Sequence, residues 1–233
     1  MNVVIKIGGS LIFEENRKLK LEKIIKFSQI ITEKNKFDNI IIVCGGGKIA
    51  REYINAVRTF TKNETLCDVF GIEVSRLNSR LIISALKKKA YPLVPKTIEE
   101  LSLALLHDKI IVMGGLQPGQ STTSVACEVA EYIKAEILII LTDVKGIYDK
   151  DPNKYSDAEL MTQLTYSELQ QLILDSKGEN QAAAGEYRIF DTVSLQILKR
   201  SKIRTIITSG LDLAAFKEFW LAEKKLIGTE IME

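Results

Sequence analysis

The sequence predicts an α/β protein, a three-layer α-β-α sandwich built on a mainly parallel central sheet. Three observations carry this. Short apolar runs rich in β-branched residues alternate with longer stretches of helical spacing. The strand-like runs are continuously apolar, as strands covered on both faces must be. Several of them end in glycine, which suits the tight strand-to-helix turns at the carboxyl edge of such sheets.

The elements follow in order. Residues 3–7 form a first strand, and residues 19–33 a helix with Leu21, Ile24, Ile25, Ser28 and Ile31 on one face. Residues 40–44 read as a buried parallel strand and residues 48–60 as a helix. Residues 63–89 are a long helical stretch carrying Leu66, Val69, Phe70, Val74, Leu77, Leu81 and Ile82, with a break expected near Gly71. Residues 91–94 are expected to be a short strand bounded by prolines. A helix over 97–106 opens with the Thr97/Glu100 capping pair. Strands at 109–113 and 137–141 flank a helix over 122–135. The chain turns polar after Pro152, and Thr165 with Glu168 opens a further helix. A helix over 188–200, a strand over 205–208 and a helix over 213–221 complete the pattern. No repeat or low-complexity linker interrupts it.

A chain of 233 residues fits one large α/β domain or two tightly joined lobes. Its 32 basic and 30 acidic residues leave a formal charge of +2. The two signs are interspersed, which argues against a dedicated nucleic-acid surface. Cys44, Cys67 and Cys127 show no metal-ligand spacing, and an odd count without a CxxC pair fits a reducing compartment. With His107 as the single histidine, zinc and histidine-based catalysis are disfavoured; His107 reads as structural. No apolar run approaches the ~20 residues that span a bilayer. The expectation is a soluble, cytoplasmic protein with no membrane partner.

Four strand ends carry ligand-type loops: Gly8-Gly9-Ser10, Gly45-Gly46-Gly47, Gly114-Gly115, and the segment from Thr142 to Pro152. Glycine lets backbone N–H groups approach phosphate oxygens, and helix N-termini favour anions. One such loop is equally a plain turn. Three on one sheet edge point to a site for several phosphates. The fourth reads either as a polar turn or as a loop flanking a nucleotide base and ribose. No Walker A sequence, kinase HRD or DFG motif, or GxGxxG fingerprint is present.

Together these loops resemble the amino acid kinase family. Lys6-Ile-Gly-Gly-Ser10, the triple glycine, Gly114-Gly115 and Thr142-Asp-Val-Lys-Gly-Ile-Tyr148 occur in that family's order. Within it the chain resembles the archaeal-type uridylate kinases. The matching pieces are Gly45-Gly-Gly-Lys-Ile-Ala-Arg51, Asp68-Val-Phe-Gly-Ile72 with Ser75-Arg-Leu-Asn78, and Gly114-Gly-Leu-Gln-Pro-Gly-Gln-Ser-Thr122. Gly185-Glu-Tyr with Asp191, and Arg200-Ser-Lys-Ile-Arg204, match later on. Isopentenyl phosphate kinases place a histidine just after the second glycine loop; here that stretch is Lys48-Ile-Ala-Arg51. Two positions depart from the pattern. Thr123 stands where the family often has Asp, and the common NVDG turn reads Asp143-Val-Lys-Gly146.

The resemblance implies transfer of the γ-phosphoryl group of ATP to UMP, with Mg²⁺ carried by the nucleotide. It implies one amino acid kinase domain over 1–233, with the acceptor site mainly in residues 1–135 and the ATP site mainly in 136–233. Lys6 would be catalytic. Gly9, Ser10, Gly47, Arg51, Thr142, Tyr148 and Asp151 would contact ATP. Gly46, Asp68 and the run Leu116, Gln117, Pro118, Gly119, Gln120, Ser121 and Thr122 would contact UMP. A homo-oligomer, specifically a hexamer, and feedback inhibition by UTP are also implied. Read without the resemblance, Lys6 could be an edge-strand lysine, Arg51 a solvated helix residue and Asp68 a surface carboxylate. Asp143 either orients Lys6 or caps a turn. The competing readings are a kinase of the same fold with another small acceptor, such as isopentenyl phosphate or an acyl carboxylate, and a non-catalytic anion-binding or storage relative.

Overall fold

The computed structural model describes residues 1–33, 36–150, 152, 155–175, 189–222 and 224–233. Seven strands form one sheet: β1 (Asn2–Ile7), β2 (Asn39–Cys44), β3 (Ile111–Met113), β4 (Ile137–Thr142), β5 (Gln163–Thr165), β6 (Thr205–Ser209) and β7 (Thr229–Met232). Their spatial order is β3-β2-β1-β4-β6-β7-β5. The first five in that order run parallel, whereas β7 is antiparallel to β6 and β5 is parallel to β7.

The described helices are α1 (Gly9–Ile12), α2 (Leu21–Thr32), α3 (Gly47–Thr61), α4 (Glu64–Leu86), α5 (Ile98–Ala104), α6 (Thr122–Tyr132), α7 (Tyr166–Asp175), α8 (Thr192–Ser201) and α9 (Ala214–Ala222). Alternation of side chains along β1 separates two cores. Ile5 and Ile7 join Ile42 and Ile139 against Phe27 of α2, Ile82 of α4 and Phe216 of α9. Val4 joins Val43 and Ile140 against Val125 and Val129 of α6 and Leu198 of α8. Both faces of the sheet are therefore covered, as the apolar strands foretell.

Three details differ from the sequence expectation. Helix α4 runs unbroken through Gly71 and ends in a 3₁₀ turn, Lys87–Lys89. A Cβ at Gly71 would sit 3.1 Å from Ile54 Cδ1, so the glycine serves close α3–α4 packing and does not stop the helix. That packing offsets the ~1 kcal/mol that glycine costs inside a helix. Residues 91–94 form no strand; only Ala90 bridges, to Ile110. Pro92 has no N–H to give to a ladder. Strands β5 and β7 were not foreseen, being short and partly polar.

Helix α4 divides its apolar residues between the two faces, with Ile82 buried. Its buried face is Cys67, Ile72, Ser75, Asn78, Ser79, Ile82 and Leu86. Val69, Phe70 and Leu77 are exposed. The inward serines and asparagine meet loop backbone, which needs hydrogen-bonding partners once buried.

Candidate active site

The site is assembled where the parallel strands end. Lys6 lies in β1 opposite Val43 on β2 and Ile140 on β4, on the Val4 side of the sheet. Beyond it the chain enters α1 at Gly9 and Ser10. Gly8 N–H donates to Leu141 O at 3.0 Å and Gly45 N–H to Ile7 O at 2.9 Å, so the first two loops leave the sheet side by side. A Cβ on Gly9 would fall 2.1 Å from Gly47 Cα, and Gly47 itself has φ +67°. No side chain fits at either place; these two backbones touch because both residues are glycine. The Lys20 ammonium donates to Ser10 O at 2.8 Å and fastens the first loop from behind.

Helix α6 aims its N-terminus at the same spot. A Cβ on Gly45 would lie 3.5 Å from Thr122 Oγ1 and 3.6 Å from Gly9 N. Ser121 caps α6 by accepting from Ser124 N–H at 3.1 Å. The cap is thus supplied without an acid at Thr123, which is buried. The N-termini of α1, α3 and α6 converge, and unpaired N–H groups with aligned dipoles make such a place suited to anions.

Loop 114–122 is held by α4. Ser79 Oγ donates to Met113 O at 2.7 Å, and Ser75 Oγ accepts from Gly115 N–H at 2.7 Å. Arg76 donates from Nε to Gly115 O and from Nη2 to Leu116 O, both at 3.1 Å. Asn78 Nδ2 donates to Gly45 O at 2.8 Å, tying the second glycine loop to the same helix. Asp68 accepts from Gly119 N–H at 2.8 Å. A Cβ on Gly114 would lie 2.7 Å from Ser75 Oγ, so this glycine permits the close approach.

The fourth junction is built differently. Thr142 Oγ1 donates to Asp143 at 3.1 Å. Tyr148 bridges Leu160, and Met161 N–H donates to Ile147 O at 2.9 Å, so the segment folds back on itself. Ile147 N–H donates to Thr229 Oγ1 of β7 at 2.7 Å.

Electrostatics single out Lys6. Burial pushes its ammonium below the ordinary lysine value, and Asp143 opposes that shift. Burial pushes the Cys127 thiol, on the same face, well above the ordinary range, so it stays neutral and gives Lys6 no counter-charge. Among the described residues Lys6 has no hydrogen bond or ion pair. A half-buried ammonium without an ion pair suits an anion in the cleft. Across α6, Asp191 accepts from Ser124 Oγ at 2.6 and 2.8 Å and caps α8. Burial would raise its pKa, but hydrogen bonds from Ser121, Ser124 and Ser194 outweigh it and hold the carboxyl below the ordinary range.

Most of the residues singled out in the sequence are therefore near one another. Lys6, Gly9, Ser10, Gly46, Gly47, Thr122 and Thr142 line the strand ends. Asp68 reaches loop 114–122, whose tip, Gln117, Pro118 and Gly119, is exposed, while Leu116 and Gln120 are half-buried. Arg51 is exposed on α3. Tyr148 sits in the folded-back segment. Asp151 and Gly185-Glu-Tyr lie outside the described residues. The sequence reading matched Ser75-Arg-Leu-Asn78 without giving it a task, and it missed Thr229. Spacing showed the first as one helix turn, but not which backbone it faced.

A mainly parallel sheet whose glycine-rich strand ends converge beside an unpaired lysine defines an α/β anion-binding protein of the phosphate-handling type. The chain belongs to the amino acid kinase family, whose model matches residues 1–209. It is 43% identical to the uridylate kinase of Methanobrevibacter smithii over 212 residues, 91% of each chain. It is 38% identical to that of Methanocaldococcus jannaschii over the full length of both. Among solved structures it resembles the uridylate kinase of Archaeoglobus fulgidus with a TM-score of 0.81 and 32% identity, covering 99% of this chain and 100% of that one. The UMP kinase of Ureaplasma parvum, at 18% identity and a TM-score of 0.79 over 100% and 98% of the two chains, shares the fold.

Proposed function

We propose that this protein transfers the γ-phosphoryl group of ATP to UMP, giving UDP and ADP. The observation that carries the reading is Lys6, a half-buried ammonium without an ion pair among the described residues, in β1 next to the place where the first two glycine loops and the N-terminus of α6 meet. The relatives named above, uridylate kinases over nearly their full length, supply the acceptor.

Phosphoryl transfer needs positioning and charge neutralisation more than covalent help. The second pKa of a phosphate monoester is about 6, so UMP is a nucleophile at neutral pH without a general base. The chain's part is to hold two polyanions in line. Lys6 and the amides of Gly9, Ser10 and Gly47 face the γ-phosphoryl group, with Arg51, Thr142, Tyr148 and Asp151 completing the ATP contacts. Gly46, Asp68 and the run from Leu116 to Thr122 hold UMP. The acceptor contacts all fall in residues 1–135, whereas the donor contacts are divided, with Thr142, Tyr148 and Asp151 in 136–233 and the rest just beyond the ends of β1 and β2. The Asp143 carboxylate beside Lys6 offers the hard oxygen ligand that Mg²⁺ favours; the ion would neutralise charge on the ATP phosphates.

Three further features belong to the same reading. The buried, unpaired cysteines support a cytoplasmic setting, and no helix among the described residues is long and apolar enough to cross a membrane. Val69, Phe70 and Leu77 on α4, with Tyr53 stacked on Phe70, offer an apolar outer face for a homo-oligomer, the hexamer of the family resemblance. Light scattering should give a mass well above one chain; a monomer mass at working concentration would remove this part. UTP, sharing base and ribose with UMP, would compete as a feedback inhibitor.

Incubation with ATP, Mg²⁺ and UMP, followed by separation of the nucleotides, should yield UDP and ADP in equal amounts. ADP release without UDP would refute the reading.

A further inference from the structure

We propose that Arg76 is a positioning residue that sets the acceptor loop against α4, and that the acceptor affinity of this protein depends on it. The inference rests on the reading of loop 114–122 as the acceptor site. Arg76 is 14% exposed and uses all three guanidinium nitrogens. Nε and Nη2 donate to the consecutive carbonyls of Gly115 and Leu116, and Nη1 donates to Glu73 at 2.6 Å.

The Nε–H and adjacent Nη2–H of a guanidinium form a rigid, coplanar, near-parallel pair, so two carbonyl oxygens held by it keep a fixed spacing and direction. An ammonium, with its freely rotating tetrahedral donors, fixes neither. Glu73, one turn earlier on α4, pairs with the far side of the fork and favours the rotamer that faces the loop. Ser75 Oγ meanwhile accepts from Gly115 N–H and donates to Ile72 O at 2.7 Å. Gly115 is therefore gripped at both its N–H and its C=O, and Leu116 at its C=O.

Beyond Leu116 the fastenings thin out. Gln117 and Pro118 are exposed, and Gly119, at φ +77° with open space around it, is held by Asp68 alone among the described residues. The direction in which the loop leaves Leu116 thus fixes where its tip stands over the acceptor. Misplacing a binding group by about 1 Å can cost up to about a hundredfold in rate. Arg76 touches no proposed ATP contact, so its effect is confined to the acceptor.

The test compares wild type, Arg76→Lys and Arg76→Gln by steady-state kinetics with UMP and ATP varied separately, by thermal melting, and by hydrogen exchange of the peptide spanning residues 114–122 in the ligand-free protein. The expected result is a rise of about tenfold or more in KM for UMP in both variants, with KM for ATP within about twofold. Exchange should be faster in the loop peptide and unchanged in β1 and β4. Arg76→Lys should restore little. An unchanged KM for UMP, or equal losses for both substrates with a lowered Tm, overturns the proposal. If the wild type itself forms no UDP, the acceptor reading has failed, and the exchange data alone still decide whether Arg76 sets the loop.

Discussion

The two sides of the cleft are held in opposite ways. The stretch of loop 114–122 up to Gly119 is fastened by residues 39 to 51 positions away in sequence, all on helix α4, and its end is tied to α6 by Gln120–Glu128 and the Ser121 cap. The segment from Thr142 to Lys150 is fastened chiefly by its own return: Asp149 N–H donates to Glu159 O at 3.1 Å, Glu159 N–H to Asp149 Oδ1 at 2.8 Å, and Lys150 pairs with Asp157 at 2.6 Å. Its long-range ties are Gly210, whose N–H donates to Thr142 O at 2.7 Å, and Thr229. A loop gripped by a buried helix face is placed before ligand arrives. A loop that mainly grips itself is placed by local chain geometry. The acceptor side should therefore answer to substitutions on α4, and the donor side to a few local bonds, with little crosstalk between them.

Lys6 belongs to both sides, and its loss has the largest effect. Lys6→Ala should lower kcat by about a hundred- to a thousandfold, the usual worth of preorganised charge aimed at a transition state, with UMP affinity near normal. Lys6→Arg should rescue little, since a planar fork does not replace a compact charge. Single-turnover transfer at saturating ATP decides; retention of more than roughly a tenth of the rate would make Lys6 structural, against the scale expected. Because burial lowers the pKa of this ammonium, activity should fall on the alkaline side earlier than for a free lysine.

Asp68→Ala comes next. It removes the bond to Gly119 N–H and the proposed ribose contact. A charge-assisted bond is worth about 1.5–3 kcal/mol, so UMP should bind roughly tenfold more weakly or worse. Titration calorimetry should find ATP binding nearly unchanged; equal weakening of both ligands would break the separation of the two sides.

Thr229→Val is the smallest. It leaves Ile147 N–H without its acceptor inside a part-buried turn, at a cost of about 1–3 kcal/mol locally. KM for ATP should rise severalfold while KM for UMP holds. A change in KM for UMP instead would mean that the segment is coupled to the acceptor loop.

How far the sequence disclosed this arrangement depended on range. The apolar parallel strands and their glycine ends were legible because continuous apolar runs and strand-end glycines are local signals. Lys6 stood out because a lysine inside an apolar strand beside Gly-Gly is unusual, and the fold sets it beside the strand-end loops. Helix α4 was legible as a helix but its facing was not, because its inner side meets loop backbone and carries Ser75, Asn78 and Ser79. Gly71 was taken for a stop because its use lies on Ile54 of another helix. Strands β5 and β7 are three and four residues long and gain their place from each other, a pairing that no local pattern records. Arg76 had its spacing in view, but its partners, the carbonyls of Gly115 and Leu116, exist only in the fold.

The clamped loop, as proposed, is an acceptor site for UMP. The most direct measurement is kcat/KM for UMP, CMP, AMP, isopentenyl phosphate and acetylglutamate, with ATP and Mg²⁺ saturating. Efficient transfer to UMP is expected, with CMP well behind and the non-nucleotides inert. A comparable kcat/KM for CMP, or turnover only with a non-nucleotide acceptor, would contradict it.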